Sequence, residues 1–466
     1  MRLLTILSCL QSLLLADDPP QMLWSNNYTF MGNQTWSVGL VALDDGSFVI
    51  SGPTLSSPGD MDAYLIAVNS DGAEIWQNSV GGLDGHSEMV SELIQTSSGG
   101  FLQAGYDLFN GDGSALFIWT DSSGDSLLYR TYTEGSYVSG IAEKANGSTL
   151  VSGRLELSGE WFGWLGEIDS SRAMIWSKHF GPPGAETSLS DFVVLENNDI
   201  LSCGFSNESP YLVRTNSIGD TLWTKTYPDV SGSFNSIEPD PAGGFIVAGY
   251  EFLNYPENCT AYLAHINGFG ETDWDYNYSD VADWSANDVT VCLDQGFIVC
   301  GTRTSGEDSW GLVFRTDNEG SLLWDSEFGD IDDTLHESIA LSSGGYCISG
   351  MSRSLEPDAA WLVRLGTETG IESQGSEDDM KSLLTVTSSN PSRGSLSFEL
   401  DLSADTRVIV SLHDLTGRCV SNVTDEFLTI GVHSFTIPSA SFPGGVYVLR
   451  VDASGIGDSE TIVIVN

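Results

Sequence analysis

Gly243-Gly244-Phe245-Ile246-Val247-Ala248-Gly249 is a pair of glycines, then a short apolar run that closes on a third. The run recurs as Phe48 to Gly52, Phe101 to Gly105, Thr149 to Gly153, Ile200 to Gly204, Phe297 to Gly301 and Tyr346 to Gly350. Successive closing glycines are 45 to 53 residues apart. A period near 50 residues with no helical hydrophobic pattern inside it predicts a radial array of small sheets.

Each repeat reads as four strands. In the first, Ser37 to Leu43 alternates, Asp44-Asp45-Gly46 turns the chain, Ser47 to Gly52 returns and Ala63 to Asn69 makes a third strand. Asn69-Ser70-Asp71-Gly72 turns again, and Ala73-Glu74-Ile75-Trp76 opens the fourth. That second turn recurs at Asp121…Gly124, Asn216…Gly219, Asn267…Gly270 and Asp317…Gly320, as a type I turn closed by a left-handed glycine requires. At Asp169 the glycine is replaced by Arg172. Four residues after the glycine position come Trp76, Leu128, Trp176, Trp223, Trp274 and Trp324. A tryptophan at this register is expected to pack between neighbouring sheets, the other reading being a stacking platform for a ligand.

The seventh repeat stops after its third strand, Ala360 to Leu365, with no tryptophan following. At the other end Leu23-Trp24-Ser25 precedes the first full repeat, and Trp24 lies 52 residues before Trp76. The N-terminal strand is therefore expected to complete the last sheet and leave no open seam. The expected fold is all-β: a seven-bladed β-propeller over residues 22–366, closed by the N-terminal strand and followed by a small Ig-like β-sandwich.

These units resemble the repeats of secreted bacterial β-propellers, through Gly243-Gly244-Phe245-Ile246-Val247-Ala248-Gly249 and Asp317…Gly320…Trp324. The second element also resembles the tryptophan-docking motif of quinoprotein propellers. That motif wants Ala before the Asp and Thr before the Gly; no repeat carries both, so no quinone cofactor is expected.

Acidic side chains number 65 against 17 basic ones, a net charge of −48. That charge repels phosphate backbones and anionic membrane surfaces, which excludes nucleic acid as a partner. Residues 1–16 read as a signal peptide: Arg2, an apolar run from Leu3 to Leu15, then Ala16 before Asp17-Asp18. The run is too short to span a bilayer, and no other segment is apolar enough. A secreted or cell-surface location is expected. Cys203, Cys300 and Cys347 fall inside the repeated second strand and read as core residues. Cys292 and Cys300 flank a turn, as free thiols or as a disulfide across the hairpin.

After Gly366 the pattern stops. Residues 367–383 have linker composition, and 384–466 contain short alternating strands such as Leu396 to Leu400 and Val408 to Leu412. This tail resembles the C-terminal sorting domain of proteins exported by the bacterial type IX secretion system. The resemblance rests on Asn390-Pro391, Asp414 with Gly417-Arg418, Gly431 and His433, Gly444-Gly445-Val446-Tyr447 and a terminal strand. It implies recognition by the type IX export machinery.

Loops joining one sheet to the next are the natural place for chemistry. They carry Asp84 and His86, and Asp332, Asp333, His336 and Glu337, which as carboxylate–imidazole groups suit cation binding or acid–base work. Turn formation is the alternative reading of these aspartates. No loop has EF-hand spacing, so calcium is left open without a motif to support it. No zinc spacing and no catalytic set is present. One third-strand position varies among repeats (Ala67, Trp119, Glu167, Arg214, His265, Arg315, Arg364), by drift or to differentiate a binding surface. The expected function is a binding module for a protein or glycan ligand. The alternative is a secreted polysaccharide hydrolase or lyase on the same ring, and a structural surface-layer component is the third reading.

Overall fold

In a computed structural model of the chain, a Cβ added to Gly249 would lie 1.9 Å from the Ser233 carbonyl oxygen. The other six closing glycines stand the same way: Gly52 under Trp36 O, Gly105 under Met89 O, Gly153 under Tyr137 O, Gly204 under Ser188 O, Gly301 under Ser285 O and Gly350 under Thr334 O, all between 1.7 and 2.0 Å. No side chain fits there, so the most regular mark in the sequence records a close backbone approach.

The approach comes from a bulge. The structure describes residues 19–57, 60–80, 86–109, 112–254, 257–280, 282–367, 384–386, 395–402, 406–414, 419–429, 431–437, 442, 445–453 and 456–464. Among them there is no helix, and the unit Met1–Gly370 contains seven four-stranded antiparallel sheets. Sheets 1 to 6 span 39–80, 86–132, 137–180, 187–226, 232–278 and 283–328, with their strands hydrogen-bonded in chain order. Sheet 7 spans 334–365 and takes Met22–Tyr28 as its fourth strand. In each of sheets 2 to 7 the first strand holds one extra residue, where the register against the second strand slips: between Val90 and Glu92, Val138 and Gly140, Leu189 and Asp191, Phe234 and Ser236, Ala286 and Asp288, and Leu335 and Glu337. In sheet 1 Thr35 opposes Thr54 but Gly39 opposes Ser51, which places the same slip at Val38. A bulge tilts its strand toward the partner, and glycine is the residue that lets the carbonyl in.

The first strand of each sheet packs on the sheet before it, and the first strand of sheet 1 packs on sheet 7. The sheets therefore close a ring with the first strands innermost, the arrangement of a β-propeller-type repeat protein. Met22–Tyr28 pairs with Ala359–Leu365 (Ser25 opposite Val363, Asn27 opposite Trp361), and the Trp361 indole donates to Ser25 Oγ at 2.8 Å.

Neighbouring sheets are joined on the outside by the turn and tryptophan pattern. Trp24 lies against Gly72, Trp76 against Gly124, Trp176 against Gly219, Trp223 against Gly270 and Trp274 against Gly320, each the turn glycine of the next sheet. Four residues after the tryptophan position stands a tyrosine in four of the sheets. Tyr28, Tyr132, Tyr227 and Tyr278 donate to the carbonyls of Gly72, Arg172, Gly270 and Gly320. Arg172 holds φ at +68°, so the turn keeps its left-handed residue without glycine.

Cys203, Cys300 and Cys347 are fully buried in the second strands. No disulfide joins Cys292 and Cys300, which corrects the disulfide reading. The ladder sets Cys300 opposite Asp288, while Cys292 caps the turn by donating its N–H to Gly296 O, so the two thiols do not face each other.

Among its described residues the unit Ile371–Asn466 has two sheets. Leu384–Val386, Leu396–Leu402 and Gly431–Ile437 form one; Cys419–Leu428, Thr406–Asp414, Gly445–Ala453 and Ile456–Ile464 form the other. Leu396, Phe398, Leu400 and Leu402 from the first share one core with Val408, Val410, Leu412, Tyr447, Leu449 and Val451 from the second. Every second residue points inward, so alternation in the sequence becomes a two-layer core. Tyr447 is buried there. Asn390, Pro391, Gly417, Arg418 and Gly444 lie outside the described residues, and Gly445 opens a strand.

The glycine contact has a direct check. Gly249→Ala should lower stability by about 1–3 kcal/mol in denaturant unfolding, the usual range for a forced overpacking. Gly268→Ala should leave it unchanged, because nothing lies within 4 Å of that position.

Candidate functional site

The bulges face the centre of the ring. The extra residues Val38, Ser139, Ser190, Asn235, Asn287 and His336 line a cavity of about 370 Å³. Their successors Glu92, Asp191, Ser236, Asp288 and Glu337 line it too, with Glu238, Thr290 and Ser338. Every sheet contributes, so the cavity lies on the axis.

Side chains at the bulges also lock sheet to sheet. Asn235 Nδ2 donates to Ala286 O at 2.8 Å, Asn287 Nδ2 to Leu335 O at 2.6 Å and Ser91 Oγ to Val138 O at 2.6 Å. His336 Nδ1 lies 2.8 Å from Ser37 O, which can only accept, so Nδ1 carries the proton and Nε2 accepts from Thr334. Burial holds this imidazole below its ordinary pKa, in keeping with a neutral ring. One position on, Asp191 accepts from Ile237 N at 2.9 Å, and Asp288 accepts from Ser338 N and Ser338 Oγ, both at 2.9 Å. A belt of side chain to backbone bonds thus runs around the axis.

The remaining carboxyls are less well anchored. Glu92 and Glu238 make no hydrogen bond among the described residues, and Glu337 has a backbone hydrogen bond from Leu40 while its Oε2 is buried and unbonded there. Burial, reinforced by Asp191 and Asp288, pushes Glu92 well above the usual carboxylate range. Burial, reinforced by Glu92, does the same to Glu337. Burial raises Glu238 to about 8 and Asp191 to about 7, although the Ile237 and Phe192 N–H groups pull Asp191 back. Several carboxyls in one enclosed space cannot all ionise, so near neutral pH the cavity presents protonated carboxyls beside hydroxyls and amides. Each such group both donates and accepts. Among the described residues no three His, Cys, Asp or Glu side chains converge as metal ligands.

The loop residues singled out in the sequence separate into three places. His336 reaches the axial cavity. Asp333 is buried in its own loop, accepting from Asp330 N, Arg353 N and Ser354 N, while Asp332 is exposed at φ +72°. His86 pairs with Asp107 at 2.8 Å and stacks on Phe109, and Asp84 lies outside the described residues. Beside His86, Glu88 is fully buried with neither carboxyl oxygen bonded among the described residues. Burial, with Asp62 and Asp107 near, raises it to about 7.

Four of the variable third-strand residues are internal braces. Glu167 takes Lys144, Ser148 and Trp176; Arg214 takes Asp199; His265 sits between Asp240 and Asp273; Arg315 takes Asp294. Their variety follows the partner each found rather than a common ligand.

No protein-family model matches this chain, and no curated protein matches it in sequence. Among solved structures it is similar to a catalytically inactive virginiamycin B lyase from Staphylococcus aureus with quinupristin, at 13% identity and TM-score 0.47, covering 73% of this chain and 99% of that one. It is also similar to puromycin hydrolase (13%, TM-score 0.47, 81% of this chain and 62% of that one) and to Sqt1 from Chaetomium thermophilum (12%, 0.43, 74% and 98%). At these TM-scores the likenesses bear on neither ligand nor reaction.

The raised carboxyls set the sign of the pH dependence. Folded Glu88 keeps its proton up to about pH 7, whereas the unfolded chain releases it near the ordinary glutamate value of about 4.3. Stability therefore falls as pH rises through that window. Glu88→Gln should match the parent near pH 4 and exceed it by about 1–3 kcal/mol at pH 8 in denaturant unfolding.

Proposed function

We propose that the protein is an exported or cell-surface glycan-binding module that holds a saccharide in the axial cavity. In this reading a seven-bladed propeller, closed by its N-terminal strand, is joined through 367–383 to an Ig-like sorting sandwich over 384–466. The type IX export machinery reads that sandwich, and residues 1–16 are removed as a signal peptide. The reading of ligand class rests on one observation: the cavity is lined by protonated carboxyls, hydroxyls and amides and by few apolar groups. A sugar hydroxyl also donates and accepts, so such a lining meets it without leaving a buried charge unpaired.

Asp191 and Glu238 favour a second reading, hydrolysis or elimination on a polysaccharide, because groups titrating near 7 and 8 suit general acid work. Reducing-sugar or unsaturated-product release separates the two: stoichiometric binding without turnover supports the module, and turnover supports the enzyme.

A glycan array followed by calorimetry of the best neutral hit tests the site. Affinity should hold below pH 7 and fall as pH rises through about 7 to 8, where the carboxyls lose the protons they donate. Ser139→Phe should fill the cavity and weaken binding more than tenfold without changing thermal unfolding, because its hydroxyl makes no hydrogen bond among the described residues. Binding that strengthens with pH, or is indifferent to Ser139→Phe, contradicts this reading.

A further inference from the structure

Tyr137 and Ser139 lie on one strand, two residues apart, and Ser139 lines the axial cavity. Directly across the ladder from Tyr137 stands Arg154. Its guanidinium carbon is 4.5 Å from the ring centre of Tyr137 and 4.5 Å from that of Trp161. Tyr106 of sheet 2 backs the group, with its ring 4.3 Å from Tyr137. The two ring centres are only 5.5 Å apart, so both rings lie to one side of the guanidinium and its N–H groups are left to bond.

Those N–H groups have no partner among the described residues. Lys144, Lys178, Arg214, Lys225, Arg303 and Arg315 each pair with a carboxylate, and Arg172, which has no carboxylate pair among the described residues, lies over one ring, Trp119, where Arg154 lies over two. In a chain with 65 acidic side chains, an arginine held against two aromatic rings and left without a carboxylate is a prepared oxyanion site. We propose that Tyr106, Tyr137, Arg154 and Trp161 form a subsite for the oxyanion of an acidic sugar, a uronate carboxylate or a sulfate ester, beside the axial cavity. The fork of Arg154 takes two oxygens of the anion, and the aromatic rims take the C–H surface of the pyranose. The net charge of −48 opposes a polyanion at long range, but at physiological salt that repulsion is screened beyond about 8 Å and the contact is local.

The proposal rests on the glycan reading, and the experiment separates the two. Calorimetry on the full chain at physiological salt compares an oligouronate, its uncharged methyl ester and a sulfated oligosaccharide of equal length. At least one acidic form should bind tenfold or more tighter than the ester, and which one does so identifies the anion. Arg154→Ala should erase that preference while binding the ester as the parent does. Arg154→Lys should restore part of it, since charge returns without the fork. Equal binding of all three sugars, or a preference that survives Arg154→Ala, overturns the subsite and leaves the glycan reading standing. Failure of every sugar to bind overturns both.

Discussion

Everything in the ring follows from a carbonyl oxygen that occupies the space of a missing side chain. The bulge in a first strand pushes the carbonyl two residues before the extra one onto the second strand, and glycine alone accepts it. The same extra residue turns the strand so that it and its successor face the axis. One local irregularity, repeated in each sheet, thus supplies both the inner packing and the lining of the cavity. The tryptophans and turn glycines do the complementary task outside, holding each sheet to the next with apolar area and a left-handed turn.

The bulges also decide the chemistry of the centre. They bring Glu92, Asp191, Asp288 and Glu337 together from four different sheets. In water these would be anions; in a confined space each one raises the cost of ionising the next. Asp191 and Asp288 recover part of that cost through backbone N–H groups of the neighbouring sheet. Glu92 has no comparable bond, and Glu337 has one from Leu40 but keeps Oε2 buried and unbonded among the described residues; both hold their protons instead. A protein of net charge −48 therefore has an axis poor in ionised groups, with its excess of charge elsewhere.

The repeat, its four strands and the partner of the N-terminal strand were legible because glycine, turn and tryptophan recur at fixed offsets. The axial site was not read, although its signal is in the sequence. Glu92, Asp191, Asp288 and Glu337 each stand 13 residues before a closing glycine, and so do Gly39, Gly140 and Ser236. A first strand such as Ser37 to Leu43 looks like a plain alternating strand, and a bulge leaves no residue type of its own, so the register hides the position. Loop aspartates drew attention instead, and Asp333 spends its carboxylate on its own loop. His336 was found through its loop, although it acts through the bulge. The Tyr–turn carbonyl bond was missed because a tyrosine four residues after a tryptophan looks like ordinary strand composition. In the second unit, alternation revealed both layers of the core, while much of the sorting-type motif falls outside the described residues.

The bulges deliver Glu92 and Glu337 to the axis as neutral acids. Infrared difference spectra between the parent and the Glu92→Gln, Glu337→Gln variant at pH 7 read this protonation state. Loss of protonated-carboxyl absorption on substitution is the predicted result. Loss of ionised-carboxylate absorption alone would contradict it.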